Sequence, residues 1–357
     1  MKKYQWTTHK LVQETKDVLT IYFNTGQQPF SYLPGQYLNL RCWIDGELVV
    51  RSYSFSSNPE EEFPSITVKR VEGGKLSNYL LDNALKIDLW DIDAPFGTFY
   101  LDEKVTNDFP IVLLAGGSGI APLFSMLKSI DTTARTPLLL YANKSPEETI
   151  FLDELESRQN AGRLTTYYSF SLPEFKSTDR RHIAGRFSLE ALCSIIEQES
   201  PLLNGAHYFI CGPKELIDLY QEVLSNFKVK QDNIHIEFFN PIPNEQQSVE
   251  SDGIIKDVLV NYLEDSYFND ELHTHKCTML IEVEPGKSLL EAMQENSLKV
   301  PSSCRNGTCG VCWAIKMNGE VRMNNNQTLT EKDIEEGIIL LCQSYPLDQE
   351  VTINLSK

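Results

Sequence analysis

Apolar and polar residues alternate through the first hundred positions. The segments VLTIYFNT, QYLNLRCWID, GELVVRSYSFSS, SITVKRVE and GTFYL each repeat with a period of two, the pattern of half-buried strands. Pro34-Gly35 and Asp45-Gly46 separate them as turns. Many short strands with turn signals predict an antiparallel β-barrel or sandwich over residues 1–106. One helical stretch, KLSNYLLDNAL, interrupts it.

Near residue 108 the period changes. FPIVLLAGG is a short continuous apolar run, followed by the helical pattern GIAPLFSMLKSI and a second run, TPLLLYAN. Strand-like and helix-like segments then alternate: SPEETIFLDELESR, LTTYYSFS, SLEALCSIIEQE, AHYFICG, KELIDLYQEVLSNF and NIHIEFF. Ser145 reads as the N-cap of the SPEETIFLDELESR helix, with Pro146 in its first position. Such alternation predicts a parallel sheet covered by helices over 107–240. Residues 241–253 fall in NPIPNEQQSVESDG, which has no periodicity and reads as a linker. Residues 254–357 carry strands DVLVNYLE and CTMLIEVEPG, helix SLLEAMQEN, a cysteine-rich loop, strand WAIKMNGEVRM, a short helix near 331, then ILLCQSYP and VTINL. That order predicts an α+β module.

The chain's 357 residues suffice for the three domains so outlined. No run approaches 18 apolar residues, so no membrane span is expected. The N-terminus MKKYQWTTHK turns polar at once, unlike a secretory signal, and a cytoplasmic location is expected. Thiols stay reduced there, which favours metal ligation or catalysis over disulfides. The formal charge of −18 argues against nucleic acid and anionic membranes as partners and favours basic proteins; solubility alone would also account for it.

Three of the eight cysteines lie in VPSSCRNGTCGVCWA. The spacing is Cys304-x4-Cys309-x2-Cys312, with Cys342 following 29 residues later. A zinc site would want a second CxxC hook or histidines, and no histidine follows position 275. The spacing matches the plant-type run that holds a 2Fe-2S cluster. Gly307 and Gly310 let backbone N–H groups approach a cluster. Residues 254–357 resemble a plant-type ferredoxin (β-grasp) domain through VPSSCRNGTCGVC and LLCQSYP. The resemblance implies Cys304, Cys309, Cys312 and Cys342 as cluster ligands and single-electron transfer as the module's task. Cys42, Cys193 and Cys277 read as core or surface thiols.

RSYSFSS, at 51–57, resembles the flavin signature of ferredoxin–NADP reductase-type flavoproteins. The residue types suit the chemistry. An arginine fork grips phosphate, an aromatic ring stacks on isoalloxazine, and a small hydroxyl reaches a flavin nitrogen. The resemblance implies Arg51 on the phosphate, Tyr53 on the ring and Ser54 beside the reactive nitrogen. Downstream, VKRVEGGKLSNYL carries a glycine turn into a helix N-terminus, a ready anion site; an ordinary strand–turn–helix with a serine cap would look the same. In the resembled family this segment holds the flavin pyrophosphate, which implies Lys69, Val71, Gly74, Lys75, Leu76 and Ser77, the last three largely through backbone. PFGTF favours FAD over FMN. Ile87 stands where that family usually has glycine.

The GGSGIAP loop lacks the third glycine of the G-x-G-x-x-G fingerprint and the acid after the next strand. It resembles instead the GGxGxxP loop of the same reductases, which implies Gly117, Gly119 and Pro122 beside a nicotinamide dinucleotide. Cys211-Gly212-Pro213 follows an apolar strand, where open α/β sheets bind ligands; a core cysteine before a turn is the plainer reading. The resemblance places Cys211, Gly212 and Pro213 at the nicotinamide, Glu237 near it and Phe239 near the flavin, with Ser54, Cys211 and Glu237 the catalytic set.

Five motifs in order liken the chain to a reductase of the phenylacetate-pathway oxygenase type, with ferredoxin last. The resemblance implies an NAD(P)H oxidoreductase passing electrons through FAD and a 2Fe-2S cluster to an acceptor protein, chiefly an oxygenase component. Another acceptor, such as a hybrid-cluster protein or a desaturase, is the alternative, and a non-enzymatic redox sensor a lesser one. Residues 254–357 hold 16 acids against 9 bases, a net of −7 that suits a basic docking patch on the acceptor. SFS at 169–171, where NADPH users of the family often have Ser-Arg, leans toward NADH; Lys176, Arg180 and Arg181 nearby keep NADPH open.

Overall fold

The computed structural model describes residues 2–26, 28–132, 135–200, 203–239, 252–268 and 271–355. Residues 241–251 of the expected linker therefore lie outside the described residues. Two compact units divide the chain. One comprises Met1–Glu47, Ser52–Pro95 and Phe99–Asn240, the other Leu48–Arg51, Phe96–Thr98 and Pro241–Lys357.

The chain opens with strands β1 (Lys2–Thr15), β2 (Val18–Asn24), β3 (Tyr37–Ile44), β4 (Glu47–Ser54) and β5 (Ser65–Lys69), helix α1 (Lys75–Asn83) and strand β6 (Trp90–Phe96). Their order is β4-β3-β6-β1-β2-β5, and an isolated bridge between Phe55 and Ile66 closes it on itself. A closed barrel leaves no free sheet edge. Strand β1 pairs with β6 through its first residues and with β2 through its last, and its register shifts between Thr8 and Lys10. Such bulges let a long strand bend around a barrel corner. The inward positions are apolar: Trp6, Phe23, Leu38, Leu40 and Phe55 are fully buried. Asp45-Gly46 forms the β3–β4 turn with both residues at positive φ (53° and 77°), as a two-residue type I′ hairpin requires.

A short helix α2 (Glu103–Asp108) leads into β7 (Ile111–Gly116), α3 (Ile120–Ser129), β8 (Leu138–Asn143), α4 (Leu152–Asn160), β9 (Thr165–Phe170), β10 (His182–Ala184), α5 (Leu189–Glu199), β11 (His207–Gly212), α6 (Lys214–Asn226) and β12 (Ile234–Phe238). The six strands run parallel in the order β10-β9-β8-β7-β11-β12. All six residues of β7 are buried, because helices cover both faces: α3 and α4 pack on one side and α5 and α6 on the other. The chain order reverses at β7, with β8 on one flank and β11 on the other, a topological switch point. One local expectation fails. The SPEETIFLDELESR helix does not start at Ser145; Pro146–Glu148 form a single 3-10 turn, and α4 begins only after Phe151 at φ 61°. The Phe151 ring stacks on Phe124 at 4.0 Å, and that burial fixes a backbone that no helix can continue through.

The second unit contains β13 (Lys256–Phe268), β14 (Glu271–Val283), α7 (Leu289–Glu295), β15 (Trp313–Asn318), β16 (Val321–Met323), α8 (Glu331–Glu335), β17 (Ile338–Leu340), β18 (Ser344–Pro346) and β19 (Glu350–Asn354). Five strands form a mixed sheet in the order β14-β13-β19-β15-β17. Helix α7, held by a Ser288–Glu291 capping box, buries Leu289, Leu290 and Met293 against it. The expected strand WAIKMNGEVRM is two strands. Gly319, at φ 80°, breaks it, and β16 pairs with β18 in a separate two-stranded sheet.

Candidate functional site

The loop after α7 gathers the four cysteines. Cys309, Cys312 and Cys342 are buried and Cys304 is half-buried. Backbone N–H groups of Asn306 and Thr308 both point at the Cys304 sulfur at 3.4 Å, and the Cys304 N–H points at the Cys309 sulfur at 3.5 Å. Side chains hold the loop: Asn325 donates to the Asn306 carbonyl at 2.7 Å, Gln343 to the Arg305 carbonyl at 2.9 Å and Thr328 to the Gly307 carbonyl at 3.2 Å. The Leu341 N–H bonds the Cys312 carbonyl at 3.0 Å, bringing Cys342 beside the loop. The sulfurs meet in two pairs, Cys304 with Cys309 and Cys312 with Cys342. A hydrogen bond from Cys309 lowers the Cys304 thiol to about 5, with the Asn306 and Thr308 amides assisting, while Cys309 and Cys342 are raised by their hydrogen-bonded partners and then by burial. Among the described residues, no three ligating side chains converge as a single metal ion would need. Two thiol pairs with N–H groups aimed at sulfur fit a two-iron cluster with four thiolates.

The C-terminal edge of the parallel sheet gathers the other residues. Gly117–Gly119 form one 3-10 turn after β7, and α3 begins at Ile120 with Pro122 buried in its first turn. A Cβ on Gly119 would run into the Cys211 carbonyl carbon and stand 2.8 Å from the Gly212 nitrogen. Only glycine lets the two loops at the switch point touch. Tyr141 of β8 donates its hydroxyl to the Gly117 carbonyl at 3.0 Å, a brace the apolar pattern of TPLLLYAN hides. Pro213 caps α6, so Cys211-Gly212-Pro213 leads into a second helix N-terminus beside the first.

Cys211 and Glu237 are direct partners across β11 and β12. Ser54, at the end of β4, hydrogen-bonds the Glu237 carboxyl. Residues 54, 211 and 237, far apart in sequence, thus form one polar cluster. Glu237 as a residue is half-buried, but its Oε2 is sealed from solvent without a hydrogen-bond partner among the described residues. Burial pushes this carboxyl up to about 8, against the opposing bond from Ser54. Burial, and then the nearby Glu237 charge, push the Cys211 thiol well up. The cluster holds a neutral thiol and, at pH 7, a largely protonated carboxyl. An orphaned buried oxygen beside a hydroxyl fits a site that a polar ring system completes.

The remaining expected residues lie on β4, around the end of β5 and the start of α1, and just past β12. Arg51 is exposed, and one of its guanidinium nitrogens donates to the Val50 carbonyl at 2.8 Å; Tyr53 is half-buried in the same strand. Ser52 donates to buried Asn39 at 2.7 Å, fixing the strand between them. Gly74 caps α1, and Ser77 accepts from the Val71 N–H at 3.2 Å. Leu76 is a core residue and Val71 is exposed. Lys75 pairs with Glu47 at 2.7 Å. The Lys69 ammonium stands 3.8 Å from where a Cβ on Gly117 would lie, beside the glycine turn after β7. Phe239 is exposed just past β12.

Three family models match in the order of the modules: an oxidoreductase FAD-binding domain over residues 5–100, an oxidoreductase NAD-binding domain over 113–222 and a 2Fe-2S iron-sulfur cluster binding domain over 275–347. The glycine betaine monooxygenase reductase subunit of Pseudomonas aeruginosa is 32% identical over 351 residues, 94% of this chain and 91% of that protein. The ferredoxin reductase component of 3-ketosteroid-9-alpha-monooxygenase from Mycolicibacterium smegmatis is 32% identical over 360 residues, 96% of this chain and 94% of that protein. Among solved structures, phthalate dioxygenase reductase aligns with a TM-score of 0.57 at 21% identity, covering 99% of this chain and 98% of its own, and supports the fold. The chain belongs to the family of oxidoreductases that join an FAD-binding domain, an NAD-binding domain and a 2Fe-2S cluster binding domain in one reductase chain.

Proposed function

We propose that this protein is the reductase component of a multicomponent oxygenase, delivering electrons from NADH to a partner protein in the cytoplasm. The observation that carries the reading is the convergence of Ser54, Cys211 and Glu237 at the switch point, in a chain that also gathers four thiols into two pairs. When bound, FAD accepts a hydride and releases single electrons, and a 2Fe-2S cluster carries them one at a time. The protein's own residues bind, orient and hold protons. Arg51 grips the flavin phosphates, assisted by the amides at Gly74–Ser77, and Tyr53 covers the ring. The Ser54 hydroxyl and the protonated Glu237 carboxyl would serve as hydrogen-bond donors where the flavin and nicotinamide meet. The neutral Cys211 thiol would pack beside the nicotinamide and help orient the ring. Gly117, Gly119 and Pro122, with Gly212 and Pro213, open the backbone to the dinucleotide phosphates, and Lys69 supplies a cation there. Phe239 would stand near the flavin.

NADH is the preferred donor. Arg181 is committed to a two-pronged bond with Asp179, at 3.0 and 3.2 Å, which leaves it poorly suited to grip a 2′-phosphate. The acceptor presents a basic patch to the acidic module that carries Cys304, Cys309, Cys312 and Cys342.

Cys304→Ser tests the wire. The variant is expected to lose the visible absorbance of the cluster and its reduction of cytochrome c, while NADH still reduces ferricyanide through the flavin. A variant with an intact cluster spectrum would overturn the ligand assignment.

A further inference from the structure

Tyr141 lies directly opposite Ala115 in the register of β8 and β7, and its side chain is fully buried in the core that α3 and α4 cover. A phenylalanine ring would fill that space as well. The hydroxyl is the part that packing does not explain. It donates to the Gly117 carbonyl at 3.0 Å, and the Ile150 amide and the Asn143 side chain lie against the same oxygen. Burial raises this phenol well above its ordinary range, so the proton that makes the bond to Gly117 stays in place at any working pH. One hydroxyl that donates to Gly117 and accepts from Ile150 ties two loops together. The first follows β7 and the second follows β8.

The tie fixes one peptide plane. The Gly117–Ser118 peptide is trans, so its C=O and N–H point in opposite directions. With the carbonyl turned onto the buried hydroxyl, the Ser118 N–H is turned away from the core. It stands among the donors that a helix start leaves without an internal partner. Gly117 holds φ at 52°, a left-handed setting that glycine enters at little cost and leaves as easily. The Ile120 N–H also reaches the Gly117 carbonyl, but that bond lies inside the turn and moves with it. The Tyr141 hydroxyl anchors the turn to the sheet.

The delayed start of α4 supplies the other end of the tie. In a helix running from Ser145, the Ile150 N–H would bond the Pro146 carbonyl four residues back. The Pro146–Glu148 turn and Phe151 at φ 61° leave that amide to the Tyr141 oxygen instead. Ile150 is buried, and the Phe151 ring stacks on Phe124 of α3. Both ends of the tie are therefore held by packing.

We propose that Tyr141 is a positioning residue for the nicotinamide dinucleotide, its hydroxyl holding the Gly117–Ser118 peptide so that the Ser118 N–H faces the dinucleotide phosphates. This rests on the reading of the glycine turn as the dinucleotide site. The tie strengthens binding and leaves hydride transfer alone, because the hydroxyl's partners are Gly117, Asn143 and Ile150 rather than Ser54, Cys211 or Glu237.

Tyr141→Phe in the full-length, cofactor-loaded protein tests it, keeping the ring and removing the tie. KM for NADH in ferricyanide reduction should rise about fivefold with kcat within about twofold, the pattern of lost ground-state binding. Flavin content and cluster absorbance should match wild type. Gly117→Ala disturbs the same peptide directly, because alanine is strained at left-handed φ. In the double variant the two KM effects should therefore combine to clearly less than their product. A wild-type KM for NADH in Tyr141→Phe, with or without a lowered urea midpoint, would make the hydroxyl a stability feature only and overturn the proposal. So would a fall in kcat at unchanged KM, or KM effects that multiply in full, which would place the action of Tyr141 outside this peptide. If wild type reduces ferricyanide no faster with NADH than without it, the nicotinamide reading itself fails and the role of Tyr141 falls with it.

Discussion

Glu237 makes stability depend on pH in a direction opposite to that of most carboxylates. Its carboxyl stands at about 8 in the fold against 4.5 when free, because its buried Oε2 has lost water. Between those values the folded chain binds a proton that the unfolded chain has released. Stability is therefore fully present below about 4.5 and declines as pH rises toward 8. From pH 6 to pH 8 this one group removes roughly 2 kcal/mol, allowing for its partial ionisation in the fold near pH 8. With a urea slope of about 2 kcal/mol per molar, the unfolding midpoint of the first unit should drop by about 1 M more than it would without the group. Glu237→Gln keeps the shape and removes the titration. The assay is urea unfolding of the full chain at pH 6 and pH 8, followed by flavin release and intrinsic fluorescence, with the wild-type shift compared against the variant's. All other ionisations are shared, so the difference between the two shifts isolates Glu237. Equal shifts would refute the buried, protonated carboxyl and with it the donor role proposed beside Ser54.

Arg51→Ala should release FAD during gel filtration, measured as the flavin-to-protein absorbance ratio; full retention would remove the phosphate role. Gly119→Ala should weaken NADH binding at least about fivefold, read as KM, because its methyl would stand 2.8 Å from the Gly212 nitrogen and press on the Cys211 carbonyl. The loops at the switch point must then part by a few tenths of an ångström or more, a cost of about 1–3 kcal/mol. NADPH should show a KM at least tenfold above that of NADH in steady-state ferricyanide reduction. Asp179→Ala, which frees Arg181 from its pair, should narrow that gap.

Part of this protein is local and can be read along the chain. The alternation that makes the barrel strands, the buried run of β7 and the Asp45-Gly46 turn follow from side-chain period and backbone sterics. These act over a few residues and need no distant partner. The cysteine spacing is also local and sets Cys304 beside Cys309, whereas Cys312 meets Cys342 only when a distant strand end joins the loop. Other features appear only when distant segments meet. Ser54, Cys211 and Glu237 become one cluster because β11 and β12 are neighbours and the end of β4 lies against them, and only that packing raises the Glu237 carboxyl. Ser145 has the letters of a helix cap, yet the stacking of Phe151 on Phe124 delays the helix to Leu152. Residues 265–268 and 271–276 show no clear strand period, but register with the paired strand carries β13 and β14 through them. The amino-acid sequence by itself determined the elements and the thiol set, because those depend on short-range geometry. The tertiary structure decided which polar groups share a buried site and how far β13 and β14 pair, because desolvation and strand pairing depend on neighbours that the chain order does not name.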